Sequence, residues 1–262
     1  MSSKPDTEQT PNIIDILLGK NSGKAIDSDT LIKNVQNRIN NALENGYEYT
    51  RVIDSSEKFL RKNVFEQIDM AVLYVDIVGS TKMSMALPSD KLSIMISSFS
   101  QEMSYVIEKF GGYVLKFVGD AVIGYFVENK ENQIPAAYSA VACAESMVKV
   151  VKQGINPILI EKVGLSEIGI KIGVDFGKNV VVRYGADEEK AFVDLLGPTM
   201  NMASKIQNLA KPNQIIVGQK VYGKLDPYMQ EFFSDMTDKQ VSPLQYYSED
   251  PERIYRVYVY KY

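Results

Sequence analysis

The chain has 262 residues, 45% hydrophobic and 24% charged, with a net charge of −4. That suffices to bury one good core and an accessory segment, and it lacks the basic excess a nucleic-acid binder needs to neutralise phosphates. There is no histidine, which excludes Ser-His-Asp and Cys-His nucleophiles and His-ligated zinc or haem, so any chemistry rests on carboxylates, lysines, hydroxyls and hard metal ions.

Residues 1 to about 11 are polar with two prolines and read as disordered. They carry no signal-peptide core, and no apolar run along the chain is long enough to span a bilayer, so a cytoplasmic protein without membrane contact is expected. The stretch Gly19 to Ala25 resembles a phosphate-binding P-loop but fails as one. Only three residues separate its glycines, Ala25 stands where a Mg²⁺-binding hydroxyl is required, and no clear strand leads into it, so a flexible loop is the better reading. From Ser28 to about Asn45, Leu31, Val35, Ile39 and Ala42 recur at helical spacing, with Ser28 or Asp29 to cap the start and Gly46 to end it. The narrow stripe suits packing on the main domain or on a partner helix. Residues 47 to 67, with Val52, Phe59, Leu60, Val64 and Phe65, read as a second connecting helix or linker.

The main domain is expected over 68–262, after an N-terminal tail and helical segment over 1–67. The run Ala71 to Val75 ending at Asp76 has the continuous apolar character of a buried strand. Asp90 to Phe110 is predicted as a long amphipathic helix stopped by Gly111 and Gly112. Tyr113–Val118, Gly119-Asp120 and Ala121–Phe126 predict a β-hairpin. A helix is expected from Pro135 to about Gln153; it contains the single cysteine, Cys143, which cannot form an intrachain disulfide and suits a reducing compartment. Strands are predicted at Ile168–Val174 and Val180–Tyr184, with Gly177 to Asn179 turning between them. A helix opens at Pro198, and strands near Gln214–Val217 and Ile254–Tyr260 complete the domain. The order reads as a βααββαβ-like α+β fold, a mixed sheet covered by helices.

Two acids end apolar strands: Asp76, and Asp120 in the Val-Gly-Asp turn. A carboxylate beside a glycine that admits ligand is a natural ligand for a hard cation, and two on adjacent strands can hold two metals for in-line phosphoryl chemistry. Taken singly, each acid also reads as a turn residue satisfying backbone amides; the pairing favours metal.

Four segments, AVLYVDIVGST (71–81), GGYVLKFVGDAVIGYF (111–126), IKIGVDFGKNVVVRYG (170–185) and DLLGPTMNMASKIQNLA (194–210), together resemble the class III adenylyl/guanylyl cyclase catalytic domain, in order and spacing. The resemblance implies a ferredoxin-like, palm-type fold. It implies that Asp76 and Asp120, with the backbone carbonyl of Ile77, hold two divalent ions, Mg²⁺ or Mn²⁺. Lys116 matches the purine-contacting lysine, Asp194 the acceptor for the adenine amine, and Asn201 the residue that positions the ribose. The guanylyl cyclases of this family typically carry Glu and Cys instead, so ATP is the implied substrate; independently, a lysine donor and a carboxylate acceptor suit adenine over guanine.

Two positions depart. Where the family places a transition-state arginine, four residues after the asparagine, stands Lys205, which keeps the charge but loses the planar fork, and which also reads as a solvated helix residue. The triphosphate-binding arginine has no obvious counterpart: Lys190 is the nearest cation, with Arg253 or Arg256 as alternatives. The resemblance further implies a head-to-tail homodimer in which Asp76 and Asp120 of one chain face Lys116, Asp194, Asn201 and Lys205 of the other. Competing readings are a cyclase for pyrimidine nucleotides or GTP, and a weakly active or silent nucleotide-binding dimerisation module. The presence of both metal acids argues against the silent module. A diguanylate cyclase is disfavoured because Tyr113 follows Gly111-Gly112 where an acidic turn is needed.

Overall fold

The computed structural model describes residues 28–47, 52–129, 134–185, 187, 190–237 and 254–261. The expected disordered start and the Gly19–Ala25 loop lie outside these residues. Helix α1 (Ser28–Asn45) forms as its spacing predicts and buries Leu31, Val35 and Ile39 in the main core. Gly46, at φ +89, ends it, its backbone N–H donating a hydrogen bond to the Ala42 carbonyl at 2.9 Å. Helix α2 (Asp54–Lys62) follows and buries Ser56 and Leu60. Phe65, 73% exposed, then adopts φ 70, an unusual backbone for a bulky residue.

Strand β1 (Gln67–Ile77) leads into a short helix, α3 (Ser80–Ala86), which the sequence reading missed, and then the long helix α4 (Ser89–Lys109). Strands β2 (Tyr113–Val118) and β3 (Ala121–Val127) form the expected hairpin. Helix α5 (Ala136–Lys149) runs further than Gln153, continuing through widened π-helical turns at Val150–Ile155 and Leu159–Val163 to Gly164. Gly154, where an added Cβ would come within 2.8 Å of Val35, and Pro157, which lacks an amide donor, both fall in this stretch. Widened turns accommodate such residues without ending the helix.

Strand β4 (Ile170–Tyr184) is one continuous strand, and no turn occurs at Gly177–Asn179. The reason is pairing: β1 follows β4 in antiparallel register from Gln67↔Val180 to Ile77↔Ile170. Gly177 serves packing instead, since a Cβ there would meet the Thr199 hydroxyl at 2.5 Å. Strand β5 (Phe192–Leu196), not foreseen, folds back on the end of β4. Helix α6 (Pro198–Leu209) follows, then β6 (Gln214–Gly218), the short helices α7 (Gln219–Tyr222) and α8 (Pro227–Gln230), β7 (Phe233–Asp235) and β8 (Val257–Tyr260). The sheet order is β2-β3-β1-β4-β6-β8-β7, with β5 beside β4. Only β4 and β6 pair in parallel among the described strands, so the fold is the expected α+β arrangement with a mixed sheet.

The main core joins the sheet to α1, α4 and α5. A second cluster gathers Met70, Val72, Leu115, Ile123 and Tyr125 with Val181, Val193, Leu195 and Met200. The β4–β5 arm therefore curls back across the sheet towards β2. Helix α6 lies unusually close to β4: a Cβ on Gly173 would stand 2.2 Å from the Gln207 amide nitrogen and 2.5 Å from the Ala203 carbonyl oxygen. Only glycine permits that approach.

Candidate active site

The apolar run of β1 carries the chain through the sheet and delivers Asp76 to its end, where the register sets it opposite Lys171. Asp120 sits in the tight β2–β3 turn behind Gly119, whose φ of 62 the turn requires. An Asp120 carboxylate oxygen accepts from the Ile77 amide at 3.2 Å, and Gln207 of α6 donates to Asp76 at 3.5 Å. Burial pushes the Asp76 carboxyl up to about 6, helped by the hydrogen bond and charge of Asp120 and opposed by the Ile77 amide and Lys171. Two carboxylates this close share a proton when nothing else neutralises them. A hard divalent ion does the same with more charge, so the donor set fits one. Among the described residues no third acid joins them, leaving the Ile77 carbonyl and a ligand's own oxygens to complete a coordination shell.

A second polar centre lies on β2 and β5. A bulge between Val114 and Lys116 re-aims β2, and the Lys116 ammonium forms an ion pair with Asp194. The other Asp194 oxygen accepts from the Leu195 amide at 2.9 Å. Lys116 and Asp194 are 78 residues apart; the curled β4–β5 arm brings them together. Tyr74, two residues before Asp76, borders the same centre, its hydroxyl pushed up by burial and then by the Asp194 charge.

Helix α6 presents two faces. Met202, Ala203, Ile206 and Gln207 are buried towards the sheet, whereas Asn201 is exposed and Lys205 half-exposed. Lys190 is exposed in the β4–β5 loop, where its amide donates to Asp187. Arg256 is not brought to either centre: it is 64% exposed at the start of β8 and faces Asp235 at 3.8 Å. Arg253 lies outside the described residues.

The model of the adenylate and guanylate cyclase catalytic domain matches residues 63–247. The chain belongs to this family. Among curated relatives, a cytidylate cyclase of Escherichia coli is 26% identical over 196 residues, covering 68% of this chain and 42% of that protein. A uridylate cyclase of Rhodovulum sp. (strain MB263) is 32% identical over 148 residues, 55% of this chain and 59% of that protein. The chain thus spans only part of the length of either. The crystal structure of the guanylyl cyclase Cya2 superposes with a TM-score of 0.62 at 19% identity, over 75% of this chain and 93% of that one, which supports the fold.

Three residues that border the two polar centres escaped the sequence reading: Lys171, Gln207 and Tyr74. Signals existed for two. Gln207 is a polar residue at a core-facing position of an amphipathic helix, and Tyr74 shares the strand face of Asp76 through its period of two. Lys171 became visible only with the β1–β4 register.

Proposed function

We propose that this chain is a nucleotide cyclase that converts ATP to 3′,5′-cyclic AMP and pyrophosphate. The observation that carries the reading is the presence, in one chain, of a paired strand-end carboxylate centre and a separate Lys116–Asp194 pair. In the proposed complex the base edge inserts between Lys116 and Asp194, which pair with each other in the structure. The lysine donates to the ring nitrogen and the carboxylate accepts from the exocyclic amine. Asn201 aligns the ribose, and Lys205 supplies a point charge to the α-phosphate as its negative charge grows. Lys190 is the cation nearest in sequence for the triphosphate tail. Divalent ions, Mg²⁺ or Mn²⁺, held by Asp76, Asp120 and the Ile77 carbonyl, would lower the pKa of the attacking 3′-hydroxyl and neutralise phosphate charge. No histidine base is needed.

The site is proposed to form between two copies of the chain. Gln207 on the inner face of α6 supports the chain's own Asp76, while Asn201 and Lys205 face outward, where they can serve a neighbour. Tyr184, Phe192 and Leu196 on the β4–β5 arm, and Phe117 and Val118 beside the Asp120 turn, are exposed large apolar residues, as a homodimer interface requires.

A second reading takes CTP. Cytosine offers the same acceptor nitrogen and exocyclic amine to the Lys116–Asp194 pair, and the cytidylate cyclase relative favours it. The hydrogen-bonding pair separates amine-bearing bases from keto bases; ring size separates adenine from cytosine. The test is turnover of ATP, CTP, GTP and UTP with Mg²⁺ or Mn²⁺, with products identified by mass spectrometry. Asp120→Ala is expected to lose at least about a hundredfold with every nucleotide. Cyclic AMP as the main product upholds the first reading and cyclic CMP the second. Folded protein inactive with all four overturns both in favour of a silent module.

A further inference from the structure

Helix α2 precedes the first strand of the sheet, yet it touches both strands that carry the Lys116–Asp194 pair. On the β2 side the Phe59 ring stacks on Tyr113 with centroids 5.1 Å apart, and Tyr113 stacks in turn on Tyr125 at 5.2 Å. The Ser56 hydroxyl lies 3.1 Å from that of Tyr125. On the β5 side, Arg61 is held by Glu57, its Nε donating to the carboxylate at 2.8 Å, and its Nη2 donates to the Ala191 carbonyl at 2.9 Å. Tyr113 opens β2 three residues before Lys116, and Ala191 stands three residues before Asp194.

Strands β2 and β5 share no ladder: β2 is the sheet edge and β5 pairs only with the far end of β4. Their separation is therefore not set by backbone pairing between them. The Lys116–Asp194 ion pair spans the gap, and it has to open to admit a base. Helix α2 spans the same gap on a second route, with a ring stack at one end and a charged hydrogen bond at the other. Three residues of near-extended chain span only about 10 Å, so displacement at Tyr113 or Ala191 reaches the functional side chain, on the β2 side through the bulge between Val114 and Lys116.

We propose that α2 is the positioning element of the base-reading pair, with Phe59 setting the Lys116 side and Arg61 setting the Asp194 side. This rests on Lys116 and Asp194 reading the base, as proposed above. It makes the segment before the catalytic sheet an adjustable part of the nucleotide pocket, and gives any signal arriving through the N-terminal helices a route to substrate affinity rather than to the metal centre.

The test uses the full chain and two readouts: kcat and KM for the four nucleoside triphosphates, and calorimetric binding of 3′-deoxy-ATP and 3′-deoxy-CTP, which lack the attacking hydroxyl and cannot cyclise. Arg61→Gln should raise KM and Kd for the preferred amine-bearing nucleotide about tenfold while leaving kcat within about twofold, so that preference over GTP and UTP narrows. Arg61→Lys retains a donor and should recover part of the loss. A folded Arg61→Gln protein with unchanged KM and preference overturns the proposal, and so does an equal loss for all four bases, which a merely covering helix would produce. Lys116→Met and Asp194→Asn run beside it. If they leave base preference untouched, the base-reading premise fails and the inference with it; if they alter preference and Arg61→Gln does not, the inference alone fails. Should Arg61→Gln not fold, Phe59→Leu tests the same coupling from the β2 side, with the same outcomes for and against.

Discussion

The two polar centres of this chain are built in contrasting ways. Asp76 and Asp120 stand at the ends of neighbouring strands, β1 and the β2–β3 hairpin; each is announced by the apolar run before it, and Asp120 also by Gly119 beside it. Lys116 and Asp194 belong to strands that are not neighbours and meet because a long strand curls and a hairpin arm folds over the sheet. The carboxylate centre is fixed by local ladder geometry. The Lys116–Asp194 centre depends on packing far from it, so on the proposed function small displacements there would alter base recognition without touching the carboxylate centre. The proposed function therefore predicts that chemistry and selectivity separate by mutation.

The largest expected effect tests the shared support of both centres. Gly173→Ala places a Cβ against backbone atoms of α6 that have no room to yield. We expect a loss of roughly 3 kcal/mol or more in urea unfolding, together with activity lost for every nucleotide, since Asn201 and Lys205 move with the helix. A stable, active Gly173→Ala protein would show that α6 is looser than its packing indicates.

Asp194→Asn separates the centres. An amide offers a donor as well as an acceptor, so the preference for amine-bearing over keto bases should fall about tenfold or more in kcat/KM ratio, with metal dependence unchanged. A uniform fall for all four nucleotides would instead place Asp194 in the fold rather than in recognition. Lys205→Arg restores the planar fork and is expected to raise kcat by up to about tenfold with little change in KM; an unchanged kcat would assign Lys205 to the solvated helix face.

The smallest effect lies outside both centres. Asp175 is buried in β4, and Tyr255, just ahead of β8, donates to it at 2.5 Å. Burial raises its carboxyl from 3.8 to about 7, opposed by that hydrogen bond, the Phe176 amide and Lys220. The folded chain therefore binds the proton more tightly than the unfolded one. The stability this contributes is fully present below about pH 4 and is lost as pH rises through 7. Asp175→Asn should flatten that slope, gaining at least about 1 kcal/mol at pH 8 relative to pH 5 when each is compared with the parent in urea melts. An unchanged slope would mean that the Tyr255 contact keeps the carboxylate ionised.

Much of the fold was legible along the chain. The stripe of α1, the β1 run, the α4 helix with its double glycine stop and the β2–β3 hairpin follow from periods of 3.6 and 2 and from turn chemistry. Two of the errors share one cause. Gly177 and Gly154 look like punctuation, yet each is a site of close approach, by Thr199 and Val35 respectively. A glycine that makes a turn and one that admits a neighbour are the same letter, and only the neighbour distinguishes them. Strand β5 went unseen because it sits within a stretch read for its motif residues rather than its alternation.

By itself the sequence determined the absence of histidine chemistry, the strand-end acids Asp76 and Asp120, and the amphipathic helices, because those depend on residue type and on spacing over a few positions. Only the tertiary structure decided that Lys116 closes on Asp194, that Tyr74 borders the pair, that Gln207 and Lys171 flank Asp76, and that α2 spans β2 and β5. These contacts join residues far apart in sequence, and their geometry is set by sheet curvature and by the closeness of α6 to β4, which no local pattern encodes.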